Sequence, residues 1–68
     1  MSTERLSDIV AAIKEAADEI NAKRSKDSQD YGQLLAYAES LCIIRDACDP
    51  DILKEIGLDF DIDKKYLQ

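Results

Sequence analysis

Asp59, Asp61 and Asp63 place three carboxylates at alternate positions near the C-terminus, the spacing that opens a calcium-binding loop. The rest of that pattern is missing. Lys64 stands where the loop requires glycine, and the position of its closing glutamate falls past Gln68. The triplet therefore reads as a solvated acidic edge, and no metal is expected. Cys42 and Cys48 are the other residues with ligand or redox chemistry. Six residues apart on a helix, they point about 120° away from each other, so they cannot bond within it. No second ligand pair accompanies them. They are expected to be reduced thiols in a small core, with an intersubunit disulfide as the alternative.

The chain has no histidine, which removes the usual general base, proton shuttle and metal ligand. Its two glycines, Gly32 and Gly57, form no phosphate-binding loop. No hydroxyl or thiol nucleophile has a base to activate it, and the pattern buries no carboxylate pair. The expectation is a protein that is not an enzyme and carries no cofactor.

Charge narrows the partners. Fifteen acids against nine bases give a net charge of −6. The acidity grows along the chain, from −1 over residues 1–24 to −2 over 25–48 and −3 over 49–68. Such a balance opposes direct binding of nucleic acid or an anionic membrane. The longest apolar run is Ile9 to Ile13, too short for a signal-peptide core or a transmembrane span. A cytoplasmic location is expected.

These residues must be positioned by a small scaffold. Sixty-eight residues make a single small helical domain, 1–68. Leu, Ile, Val and Phe total 17, too many for a disordered chain and few for a self-sufficient core. Leu6, Ile9, Ile13, Ala16 and Ile20 alternate at steps of three and four, widened by Val10 and Ala17. This predicts an amphipathic helix at about 3–24, capped by Ser2 or Thr3, with Glu19–Lys23 as an i,i+4 ion pair. Residues 25–30 are all polar and read as a loop. A second helix follows at about 31–47, with Asp27, Ser28 or an Asp30–Gln33 capping box at its start. Leu34, Ala38, Leu41 and Cys48 share one face, widened by Tyr31, Leu35 and Cys42 on one side and Tyr37 and Ile44 on the other. Ile43, Ala36 and Ala47 line the far side.

Asp49-Pro50-Asp51 marks the start of a third helix at about 50–56, with Asp49 as N-cap and proline at the first helical position. Gly57 should end it in a left-handed cap. Beyond it Leu58, Phe60 and Ile62 alternate with aspartates, which predicts an extended C-terminal tail and at most a last turn capped by Asp63.

One rival topology is open. Leu6 to Leu34 spans four whole heptads, so the apolar register of the first helix runs unbroken into the second. A continuous helix of about 45 residues fits that register, whereas the polar joint, Gly32, and Lys23, Asp27 and Asp30 at seam positions favour a hairpin. The fold expected is all-α: a helical hairpin, a short third helix and an extended tail. A hairpin has a seam rather than an interior, so dimerisation into a four-helix bundle is expected as well. Its interface residues would be Leu34, Tyr37, Leu41, Ile43, Ile44 and Phe60. The function expected is non-enzymatic: an interaction or scaffold protein using an apolar helical face, as a homodimer or with another protein partner. The alternative is an acidic inhibitor that mimics nucleic acid.

Overall fold

A computed structural model describes residues 3–67. The order is α1 (Thr3–Asn21), α2 (Ser28–Ala47), α3 (Pro50–Ile56) and α4 (Ile62–Tyr66), with no strand among the described residues. The expected cap at Ser2 lies outside the described residues. α1 packs on α2 and on α3, and α4 packs on α2. The chain is thus an α1–α2 hairpin, with α3 against one helix and α4 against the other.

The hairpin turns at residues 22–27, and the long continuous helix is not formed. α1 stops three residues short of the expected boundary, its last turn closed by Ala22 N–H to Asp18 O (3.0 Å) and Lys23 N–H to Ile20 O (3.1 Å). α2 starts three residues early, because Ser28-Gln29-Asp30 is its polar first turn rather than loop. Asp27 is the N-cap and its Oδ1 accepts the Asp30 N–H at 2.8 Å. Asp30 returns the bond from the Asp27 N–H through Oδ2 at 3.2 Å. The capping box therefore joins 27 to 30 and not 30 to 33.

The core face of α1 is Val10, Ala17 and Ile20, flanked by Leu6 and Ile13. Ile9, expected on that stripe, is exposed; the buried face is shifted toward Val10 and Ala17, while Leu6, Ile13 and Ile20 stay within it. α2 contributes Leu34, Ala38 and Leu41 at i, i+4 and i+7. Ala17 and Ala38 are fully buried, and side chains of that size allow close backbone approach across the seam.

α3 begins where proline pre-sets φ. It ends at Gly57, whose φ of 77° is the left-handed cap. The Leu58 N–H reaches back to Leu53 O (2.9 Å) and the Gly57 N–H to Lys54 O (3.4 Å), a Schellman pair of bonds. Lys14 of α1 donates its Nζ to Gly57 O at 3.0 Å, clamping this corner to the hairpin.

The tail departs from expectation. It has no regular structure through 58–61, with a bend at Phe60, and then Asp61, not Asp63, caps α4 by accepting the Lys64 N–H at 3.1 Å. The period-two pattern survives as burial: Leu58 and Ile62 are inside, Phe60 is half-buried and the aspartates face out. Ile62 and Tyr66, four residues apart, then put the inner face of α4 into the core.

Two outcomes follow from this packing. Leu41→Ala should cost about 2–5 kcal/mol. A core of this size supplies only about 3–5 kcal/mol, so far-UV circular dichroism at 25 °C should show a largely unfolded chain. Asp27→Ala should cost about 0.5–2 kcal/mol in urea unfolding without loss of the fold, because it removes one cap and no core contact.

Candidate functional site

The residues expected at an interface do not share one surface. Leu34 and Leu41, 2% and 0% exposed, lie inside the chain's own core. Within the single chain, α4 and the 58–62 segment take up the seam against which they pack. Tyr37, Ile44 and Phe60 pack partly buried against the same core. Ile43 alone of the six is exposed, at 70%.

The apolar surface that remains lies elsewhere. Tyr31 (61% exposed) and Leu35 (46%) stand one turn apart on α2, and Leu67 (42%) follows α4. They line a cleft of about 420 Å³ together with the buried Leu34 and Tyr66 and with Asn21 and Lys26. The sequence pattern placed Tyr31 and Leu35 at the edge of the buried face. It could not show that α4 would cover Leu34 and leave them out.

A polar latch holds this cleft in shape. The Tyr66 hydroxyl donates to Asp18 Oδ1 at 2.8 Å, across 48 residues of sequence. Lys65 pairs with the same oxygen at 3.3 Å, and Asn21 Nδ2 donates to Lys65 O at 3.3 Å. Phe60 meets Tyr66 edge to face at 6.4 Å between centroids. Lys14 and Lys65 each place Nζ 5.2 Å from the Phe60 ring centre. Burial first, and then the Asp18 carboxylate, push the Tyr66 phenol well above its ordinary value of 10.0.

A second latch sits in the turn. Lys23, expected to pair with Glu19, instead bonds Asp30 at 2.8 Å, because α1 ends before it. Asp30, 8% exposed, is the one buried charged residue described. The Lys23 ammonium, then the Asp27 backbone N–H, hold its carboxyl below the ordinary 3.8.

The tail acids are dispersed. Asp61 caps α4, Asp63 Oδ1 lies 3.9 Å from the Cys42 thiol, and Asp59 is exposed. No three of the described His, Cys, Asp or Glu residues converge as a metal site. Both cysteines are free and half-buried. Burial pushes the Cys42 thiol up, which favours the unreactive form. No described helix is long and apolar enough to cross a membrane.

The latches carry measurable energy. Tyr66→Phe should cost about 1–3 kcal/mol in urea unfolding, since it deletes a bond to a charged acceptor. Asp30 stabilises the fold only while ionised. With its folded value lowered, that contribution is complete above the unfolded value near 3.8 and is lost as pH falls through the folded one. Thermal midpoints should therefore fall below about pH 4 in the natural chain, and Asp30→Asn should flatten that fall while lowering the midpoint at pH 7. Comparison with protein-family models, with curated proteins and with solved structures finds no match, so function has to be argued from this surface.

Proposed function

We propose that the protein acts without catalysis, as an interaction or accessory module that offers apolar helical surface to another polypeptide, with a homodimer as its basal form. The observation that supports this reading is that α2 keeps Tyr31, Leu35 and Ile43 exposed after its inner face is fully occupied. Tyr31 with Leu35, and Ile43 two turns further on, are large apolar side chains left in water at two places on a short chain, and support association rather than chemistry.

The dimer face we propose is the outer line of α2, Ala36–Ser40–Ile43–Ala47, all exposed and spaced at four, three and four residues. Ser40 Oγ donates back to Ala36 O at 2.9 Å, so this line presents no unmet hydroxyl. Two such lines meeting across a two-fold axis bring two hairpins together as a four-helix bundle. Ile43, rather than Leu34 or Leu41, would be its centre.

Sedimentation equilibrium at micromolar concentration tests it. The mass should exceed 7.6 kDa and return to 7.6 kDa in Ile43→Lys with helicity unchanged, an exposed substitution costing within about 0.5 kcal/mol of fold stability. A natural chain that stays at 7.6 kDa throughout contradicts the dimer. The acidic-mimic reading gives a different signature: binding to a nucleic-acid-binding protein that weakens steeply with salt.

A further inference from the structure

We propose that the cleft bounded by Tyr31, Leu35 and Leu67 is a docking site for an acidic peptide segment carrying one large apolar anchor. This rests on the reading of the chain as an interaction module and names the partner's chemistry.

Shape sets the anchor. The cleft, about 420 Å³, lies within the range of roughly 300–1,000 Å³ typical of ligand sites. Its apolar lining comes from Leu34, Leu35, Leu67, Tyr31 and the Tyr66 ring. Leu34 and Tyr66 are already buried, so an anchor adds contact with a rigid surface rather than ordering a loose one.

Charge sets the flanks. The chain carries fifteen acids and nine bases, yet among the described residues no Asp or Glu lines this cleft. Two hollows along α1 differ: Glu4, Asp8 and Glu55 line one, and Glu15, Asp18 and Glu19 line the other. Lys26 lines the cleft, and Arg24, outside its lining, is exposed in the same turn. Neither forms an ion pair with a described carboxylate. Lys26 Nζ donates one bond, to Lys23 O at 3.0 Å, which leaves two of its three donors for a ligand. The acids nearest in sequence, Asp27 and Asp30, are engaged in the capping box and with Lys23. A cleft of mixed lining whose one charged residue is Lys26, on a molecule of charge −6, is complementary to a carboxylate beside an apolar side chain.

A second copy of the chain is the weaker occupant. Its most acidic segment with large anchors is Asp59–Asp63, and there Ile62 is fully buried and Phe60 is half-buried in its own fold. Ile43, the proposed dimer centre, lies about 12 Å further along α2 than Leu35, so both surfaces can be occupied together.

The test is selection from a random peptide library displayed on phage, with the folded full chain as bait, followed by fluorescence anisotropy on the enriched peptides. Enriched sequences should be acidic with one Phe, Leu, Ile or Trp anchor. Tyr31→Ala and Leu35→Glu should each weaken binding at least tenfold with helicity retained. Lys26→Glu should weaken it severalfold and reverse the preference toward a peptide with its acids replaced by lysine. Ile43→Lys should leave affinity unchanged. Enrichment of basic or neutral peptides, or binding indifferent to Leu35→Glu, overturns the proposal. No enrichment, with a dimer that Leu35→Glu splits, overturns it in favour of a second copy and preserves the interaction reading. No enrichment with a stable monomer removes both.

Discussion

The reciprocal bonds between Asp27 and Asp30, closed by Lys23, are the constraint from which the rest of the molecule follows. The apolar register of α1 continues into α2 for four heptads, so hydrophobic pattern alone does not bend the chain. What bends it is local polar chemistry. Residues 22–27 leave the helix, Asp27 supplies the acceptor that the first turn of α2 needs, and Asp30 returns the bond. Once the chain reverses, the faces bearing Val10, Ala17 and Ile20 and bearing Leu34, Ala38 and Leu41 meet across one seam instead of lying along one rod.

A two-helix seam leaves its flanks wet, and this chain closes them with its own C-terminal third. α3 lies against α1, fixed at its end by the Lys14–Gly57 bond. The 58–66 segment lays Leu58, Ile62 and Tyr66 into the same core, and the Tyr66–Asp18 bond ties α4 back to α1. The aspartates between those apolar residues therefore have local roles: one caps a helix and the others keep the outer side of the segment wet. The cleft at Tyr31, Leu35 and Leu67 is what this closure leaves at the end of the hairpin where α4 stops.

Much of the fold was legible in the residues. Pro50 and Gly57 bounded α3 to the residue, because proline's fixed φ and missing N–H and glycine's left-handed φ act locally; Asp49 occupies the N-cap position, but its side chain makes no capping bond. The polar joint located the turn, but its edges moved by three residues on each side, because Ser28-Gln29-Asp30 suits either a loop or a first helical turn. The period-two pattern predicts a one-sided tail with at most a last turn capped by Asp63, whereas the helix starts earlier, at Ile62, and Asp61 is its cap. Asp61 has the cap geometry, and only the packing of Tyr66 decides that the cap is used. The surface was least legible. Tyr31 and Leu35 share an arc with Leu34 and Leu41, and which part of that arc α4 covers depends on contacts made across nearly the whole length of the chain.

One chain turns back at 22–27 and seals its own seam with α4, which covers the Leu34–Leu41 face and leaves the Tyr31–Leu35–Leu67 cleft open. A two-dimensional nuclear Overhauser spectrum of the natural chain tests it most directly. The account predicts cross-peaks from the Tyr66 ring to Asp18 and Phe60 and from Ile62 to Leu34 or Leu41, with no helical connectivity through 22–27. Unbroken helical connectivity from 15 to 41, or a Tyr66 ring without long-range cross-peaks, would contradict it.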